Sequence, residues 1–417
     1  MSLGERVPKL RFPGFEGEWE KKIFGNVFAF IGNNTLSRSE LTYSRGKVRN
    51  IHYGDILVKF GDVIDFGNAE VPYIANQEQA IKERRLRDGD VIIADTAEDE
   101  TVGKASEIYG LCDAEAEAGL HTMACRPLQK FAPRFIGYYL NTPAFHHLLL
   151  PLMQGVKVLS ISKSQIAKTK ISAPRFESEQ AKIASFLSLL DSRIAAQRKL
   201  VELLKKHKRG VIEQIFRQHL GLGKNSEKWN VVELRNLFSK VVRRNKDGRV
   251  KNVITNSAEF GLIPQRDFFD KSIAVEGNTD GYYIIHRGDF VYNPRKSTAA
   301  PFGPFNRYTG TEDGIISPLY TCLVPNEKAN PEYLAWYFRS TAWHRYVYDN
   351  GSQGARHDRV NMTDDLLLRI PVLLPPIAVQ EKIAKCLNAI DARWSSANKA
   401  LAYLEDMKRG LLQQLFV

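Results

Sequence analysis

Residues 180–217 read QAKIASFLSLLDSRIAAQRKLVELLKKHKRGVIEQIFR and residues 380–417 read QEKIAKCLNAIDARWSSANKALAYLEDMKRGLLQQLFV, and the two align without a gap. Gln180, Lys182, Ile183, Ala184, Leu187, Asp191, Arg193, Lys199, Leu204, Lys208, Arg209, Gly210, Gln214 and Phe216 recur as Gln380, Lys382, Ile383, Ala384, Leu387, Asp391, Arg393, Lys399, Leu404, Lys408, Arg409, Gly410, Gln414 and Phe416. Fourteen identities at one offset of 200 positions, in segments free of low-complexity bias, mark an internal duplication. A repeat of this length implies that the whole chain is a doubled unit, so function is sought in something done twice.

Each copy predicts one long helix, because its apolar residues fall three and four apart throughout. The first seam runs Ile183, Leu187, Leu190, Ile194, Val201, Leu204, Val211 and Ile215, interrupted at Gln197 and Lys208. The second runs Ile383, Leu387, Ile390, Trp394, Ala397, Leu401, Leu404, Leu411 and Leu415, interrupted at Lys408. A seven-residue period keeps a narrow stripe on one partner helix, the coiled-coil condition, and the natural partner is the other copy. At about 1.5 Å per residue each helix is roughly 55 Å long and reads as a spacer. The competing reading, an amphipathic helix lying on its own domain, calls for a wider stripe. Gly210 and Gly410 fall inside these helices, where glycine costs about 1 kcal/mol relative to alanine. The shared Lys-Arg-Gly therefore predicts a close backbone approach there, in preference to fraying.

The remainder of each half matches more loosely. Trp19, Asn26 and Phe28 align with Trp229, Asn236 and Phe238, and the Gly-Asp turn that launches a strand in RDGDVII (87–93) recurs in HRGDFVY (286–292). Pro133, Phe135, Ile136, Tyr139 and Leu140 match Pro331, Tyr333, Leu334, Tyr337 and Phe338, a helix with an aromatic face; Gln154-Gly155 matches Gln353-Gly354 in a loop. Each half thus reads as a mixed α+β domain followed by one long helix.

The 417 residues suit two domains plus helices, and 43% hydrophobic with 25% charged residues is ordinary for a globular protein. No stretch approaches the roughly 18 apolar residues of a membrane span, and the start MSLGERVPKLRF has no signal-peptide apolar region, so the expected location is cytoplasmic with no membrane partner. Cys112, Cys125, Cys322 and Cys386 show no Cys-x-x-Cys spacing, so neither a disulfide framework nor a zinc site is indicated. A net charge of +12 points to a polyanionic partner, nucleic acid before membrane. Residues 180–217 carry nine Lys/Arg against three Asp/Glu, so the domains themselves must present basic loops if they bind DNA.

Catalytic signatures are missing. Gly46-Lys47, Gly103-Lys104 and Gly223-Lys224 are each followed by the wrong residue for a phosphate loop, and no His-Glu-x-x-His or Gly-x-Gly-x-x-Gly occurs. Asn293-Pro294-Arg295 lacks the second proline and the aromatic of the amino-methyltransferase motif, and the acidic run Asp95, Glu98, Asp99 and Glu100 reads as a solvated turn. No catalytic, metal or cofactor residue is assigned. Basic residues do gather on candidate loops: Arg45, Lys47 and Arg49; Arg84 and Arg85; Arg243, Arg244 and Lys246; Arg295 and Lys296; and Arg356, His357 and Arg359. Such side chains beside Gly, Ser and Gln suit phosphate and base-edge contacts, and these groups are the DNA-binding candidates.

At these residues the chain resembles, over essentially its full length, the specificity subunit of type I restriction-modification systems. The resemblance is carried by EQAKIASFLSLLDSRI and QEKIAKCLNAIDARW, each preceded by a proline-containing strand end, and by the stretch from VITNSAEFGLIPQRDFFD to GIISPLY. It implies an α+β chain of two mixed α/β target-recognition domains separated by two long helices that form an antiparallel coiled coil, duplicated about a pseudo-two-fold. The expected boundaries are 1–178 and 221–378 for the domains and 179–220 and 379–417 for the helical spacers. It further implies a bipartite double-stranded DNA target, two modification subunits that carry S-adenosylmethionine, and restriction subunits that carry motor and nuclease. Two other readings stay open: a self-contained DNA methyltransferase, which predicts cofactor binding by the isolated chain, and a duplicated adaptor, which predicts no sequence-specific DNA affinity.

Overall fold

The computed structural model describes residues 7–218, 229–267, 279–351 and 358–417. The chain divides into two compact units, one of Met1–Arg198 with Lys399–Val417 and one of Lys199–Asn398. None of the described helices is long and apolar enough to cross a membrane.

In the first unit a five-stranded sheet runs in the order Phe28–Ile31, Thr122–Pro127, Val91–Ala94, Ala105–Tyr109, Val63–Asp65. All pairs are antiparallel except the last. Val91, Ile92, Ile93 and Ala94 are buried on both faces, which is why this strand is an unbroken apolar run rather than an alternating one. The turn before it needs Gly89 at φ +85°, and Asp90 closes it by accepting the Arg87 amide at 2.8 Å. The second unit repeats the plan with Phe238–Lys240, Thr321–Pro325, Phe290–Tyr292 and Phe305–Arg307. There Gly288 takes φ +103° and Asp289 accepts the His286 amide at 2.8 Å.

The repeat breaks at one register position. Val91 faces Glu107, whereas its counterpart Phe290 faces Arg307. Glu107 is buried and accepts the amides of Arg134 at 2.6 Å and Gly137 at 2.8 Å. Burial pushes its carboxyl up from 4.5 to about 7, against those amide donors and the nearby Arg134 charge. A raised acid contributes stability that is complete below pH 4.5 and is lost as pH rises through about 7. We expect the wild type to lose about 3 kcal/mol relative to Glu107→Gln between pH 4.5 and pH 8. Denaturant titrations giving parallel pH profiles for the two proteins would show Glu107 ionised throughout.

The long helices span Glu177–Gln218 and Ile377–Gln414. Within the first unit Lys408 reaches Asp191 at 2.6 Å and Arg198 reaches Glu405 at 2.6 Å, so the helices run antiparallel. Within the second, Lys208 reaches Asp391 at 2.8 Å, the same pair with the repeats exchanged. Gln180 accepts the Ala132 amide and donates to the Pro174 carbonyl; Gln380 does the same with Asn330 and Pro375. Phe416 packs on Phe135 and Tyr139, and Phe216 packs on Tyr333 and Tyr337. Each aromatic helix is therefore covered by the phenylalanine of the other repeat.

Of the expected seam, Ile183, Leu187, Leu190, Ile194, Val201, Ile383 and Leu387 are buried, while Leu204, Ile390, Trp394, Leu401 and Leu404 are half-buried. Beyond Lys208 the buried side chains are Ile212, Ile215 and Phe216 rather than Val211, because a 3.6-residue helix drifts against a seven-residue period. The expectation of close packing at Gly210 and Gly410 is not met: a Cβ at either position would have no atom within 4 Å. With open space and helical backbone, alanine loses nothing. Gly210→Ala and Gly410→Ala are expected to stabilise the helices by about 1 kcal/mol each, read as a rise in melting temperature.

Candidate nucleic-acid interface

In the second unit the Asn293-Pro294-Arg295-Lys296 segment leaves the buried strand Phe290–Tyr292 and is held in shape from below. Asn293 is buried; its Oδ1 accepts the Arg295 amide at 2.9 Å, and Asn256 donates to the Val291 carbonyl at 2.9 Å. The segment pairs with 358–360, through Lys296 N to Asp358 O and Val360 N to Pro294 O, both 2.8 Å, so that Arg295 lies opposite Arg359. Both guanidiniums stand 3.8 Å from the Asp358 carboxylate. Two cations share one anion, and Lys296 adds a third, leaving a local excess of positive charge.

Arg359 also lines a cleft of about 400 Å³ whose other walls include Pro294, Tyr320, Tyr292, Tyr283 and Lys240. The cleft thereby joins the groups that are 50 or more positions apart in sequence. At its far side Arg244 lies 3.8 Å over the Tyr283 ring and donates to its hydroxyl at 2.9 Å, a stacked and directed guanidinium. Lys240 is ion-paired to Asp364, which also accepts from Thr321 at 3.0 Å. Burial raises the Tyr320 hydroxyl pKa, with the Arg295 charge opposing, so Tyr320 stays a neutral donor and acceptor. Arg243 is committed elsewhere: it pairs with buried Asp289 beneath the Gly-Asp turn. Lys246 is exposed. Arg356 and His357 lie outside the described residues.

The first unit brings its two basic groups together because Val48–Ile51 pairs in parallel with Glu115–Ala118. Arg49 is held between the Phe66 and Tyr73 rings, 5.3 and 5.5 Å from their centroids. Arg85 pairs with Glu115 at 3.4 Å and with Glu117, which is fully buried and also accepts the Ile81 amide at 2.7 Å. Lys47 stands 4.0 Å from Glu115 and is 76% exposed, Arg45 is exposed, and Arg84 lies across Gly32. Lys47 and Arg45 thus present charge at the surface, Arg49 is half-buried against its two rings, and Arg85 holds the interior acid. Sequence reading could not separate them, since the anions that engage Arg85 lie 30 and 32 positions away.

Residues 16–206 match the family model described as the type I restriction modification DNA specificity domain. Across 99% of this chain and 96% of the relative, the sequence is 25% identical to a putative type I restriction enzyme MjaX specificity subunit of Methanocaldococcus jannaschii. The S subunit of a type I restriction-modification system from M. genitalium shares the fold at a TM-score of 0.55 and 15% identity, covering 99% of both chains. A chain from a structure on complex assembly and conformational transition of the type I R-M system shares it at 0.57 and 16%, covering 97% of this chain and 98% of that one. Duplicated mixed domains, paired long helices and this likeness along the whole length agree: residues 16–206 match the type I DNA specificity domain, and the chain as a whole is similar to the specificity subunits of type I restriction-modification systems.

Proposed function

We propose that the chain reads a bipartite DNA target, with residues 1–178 and 221–378 each recognising one half-site and the helical segments 179–220 and 379–417 docking modification and restriction subunits. The observation that carries this reading is the contrast between what the duplication keeps and what it changes. Core contacts recur residue for residue, as with Gln180 and Gln380, whereas the surface cations do not. The second unit places exposed Arg295 and Arg244 and half-buried Lys296 and Arg359 around a cleft, and the first exposes Arg45 and Lys47 just ahead of the strand Val48–Ile51, which carries half-buried Arg49. One scaffold with two chemistries is what two different half-sites require.

The experiment is to co-express the chain with modification subunits and sequence the methylated positions in host DNA. Arg295→Ala with Arg359→Ala is expected to relax one half-site by ten-fold or more, roughly what one or two lost base contacts contribute, and to leave the other half-site intact. A complex that methylates without any two-part motif would defeat the reading. Native mass spectrometry of the same complex is expected to show one copy of this chain with two modification subunits.

A further inference from the structure

Matching the two units strand by strand points to a part of the first domain that its positive charge does not mark. Gly89-Asp90 and Gly288-Asp289 launch equivalent strands, and Met123 pairs with Ile93 as Thr321 pairs with Tyr292. Two residues past each of those strand positions, Ile161 N donates to Asp95 O at 2.9 Å and Val360 N donates to Pro294 O at 2.8 Å. Thr96 then pairs with Ser160 where Arg295 pairs with Arg359. The places held by the arginine pair in the second unit are held in the first by Thr96 and Ser160, with Asp95 and His121 beside them.

This spot is built, and its chemistry is unlike that of its counterpart. Asp95 Oδ1 accepts from Thr96 Oγ1 at 2.9 Å and lies 3.5 Å from His121 Nδ1. His121 is half exposed, stands edge-on to the Tyr53 ring, and has φ +53°, a left-handed conformation that costs a non-glycine residue energy and is retained where surrounding structure enforces it. The strand paired to Thr96–Ala97 ends a hairpin closed by Gln154 and Ser160. At its turn Gly155 has φ +125°, and a Cβ there would lie 1.9 Å from the Val158 carbonyl oxygen, so only glycine fits. The turn presents Val156, fully exposed, and Lys157.

We propose that Asp95, Thr96 and His121, together with the Val156-Lys157 hairpin tip, form the base-reading surface of the first domain. The inference rests on the two-half-site reading above and deepens it. A carboxylate accepts from the cytosine N4 amine or the adenine N6 amine in the major groove, a rigid apolar tip suits a thymine methyl, and a lysine amine suits guanine or phosphate. The Asp95 position is assigned to cytosine, whose N4 amine has no acceptor of its own beside it in the major groove, whereas adenine sets its N7 acceptor next to the N6 amine and repels an acceptor-only side chain.

The test uses the full chain assembled with modification subunits, scored on duplexes carrying each single-base change in the wild-type motif. Asp95→Asn is expected to lower discrimination at one base pair of one half-site by about ten-fold or more, and Lys157→Ala to weaken or relax the same half-site, with the other half-site unchanged. Thr96→Val serves as a variant that spares fold if His121→Ala lowers the melting temperature. Should Asp95→Asn and Lys157→Ala leave the motif unchanged while Arg295→Ala with Arg359→Ala alters the other half-site, this assignment is overturned and the two-half-site reading stands. A uniform fall in methylation with no change of motif also overturns it, by showing a merely structural or phosphate role. Absence of a two-part motif with wild-type protein would instead remove the reading beneath it.

Discussion

Lys408→Met is expected to destabilise the first unit by about 3–5 kcal/mol, the cost of leaving buried charge without its partner. Lys408 Nζ lies 2.6 Å from both Asp62 and Asp191, and the three side chains are 18, 13 and 36% exposed. Tyr138 donates to the second oxygen of Asp191 at 2.8 Å. Burial alone would lower the lysine pKa; the two carboxylates outweigh it and hold the amine above its usual 10.5. A raised lysine contributes stability that is fully present below pH 10.5 and is lost as pH climbs through its folded value, so the difference between wild type and variant should shrink only under strongly alkaline conditions. Lys208, its repeat counterpart, has one carboxylate at 2.8 Å and the Trp394 ring at 4.1 Å, so Lys208→Met is expected to cost less, about 1–2 kcal/mol. Hydrogen exchange should locate the larger loss in residues 177–198 and 399–417. Equal costs at the two positions would show that the second carboxylate contributes nothing.

The other large effect is on specificity. A fragment of residues 1–220 holds one domain and one long helix, and a second copy of the fragment can supply what residues 399–417 supply in the full chain. Ile215 and Phe216 would replace Leu415 and Phe416, and Lys208 would meet Asp191 in place of Lys408. Such a fragment is expected to dimerise and, with modification subunits, to methylate an interrupted palindrome built from its own half-site, since a two-fold dimer presents two identical readers. One contact opposes it: Arg198, which reaches Glu405 at 2.6 Å, would face Lys205. In a dimer of residues 221–417 the corresponding pair is Asn398 with Glu405, which is neutral against acidic. The C-terminal half should therefore self-associate more tightly, and Lys205→Glu should strengthen the N-terminal dimer by restoring two ion pairs. Sedimentation at micromolar concentration reads both effects, and a folded fragment that stays monomeric with Lys205→Glu rejects the equivalence of the halves.

The duplication and the helices were legible because they are written in identities and in period. Gln180 stands out as a repeated identity and Lys208 as a polar break in an apolar seam, and the structure gives each a specific partner. Gly210 was misread because a shared glycine signals either close approach or tolerance, and only the space around it distinguishes them. The basic loops were legible as groups but not as members. Arg85 and Arg243 look like Arg49 and Arg244 in sequence, yet buried carboxylates distant along the chain claim the first pair, while aromatic rings hold the second pair. Asp95 reads in sequence as part of a solvated acidic turn and His121 carries no signal of its own; strand register alone brings them to the place of the arginine pair.

The two units differ in how their chain is drawn. The second is one continuous stretch, Lys199–Asn398, whereas the first needs Lys399–Val417 to be complete. Trp19, Phe135 and Tyr139 lie against Phe416, so a nascent chain that has reached residue 198 carries an aromatic surface with nothing to cover it. At about 5–20 residues per second the next 200 residues take roughly 10–40 s to synthesise, long compared with the folding of most small domains. Throughout that interval the N-terminal portion is the species exposed to aggregation and proteolysis, and the second unit finishes folding before the first.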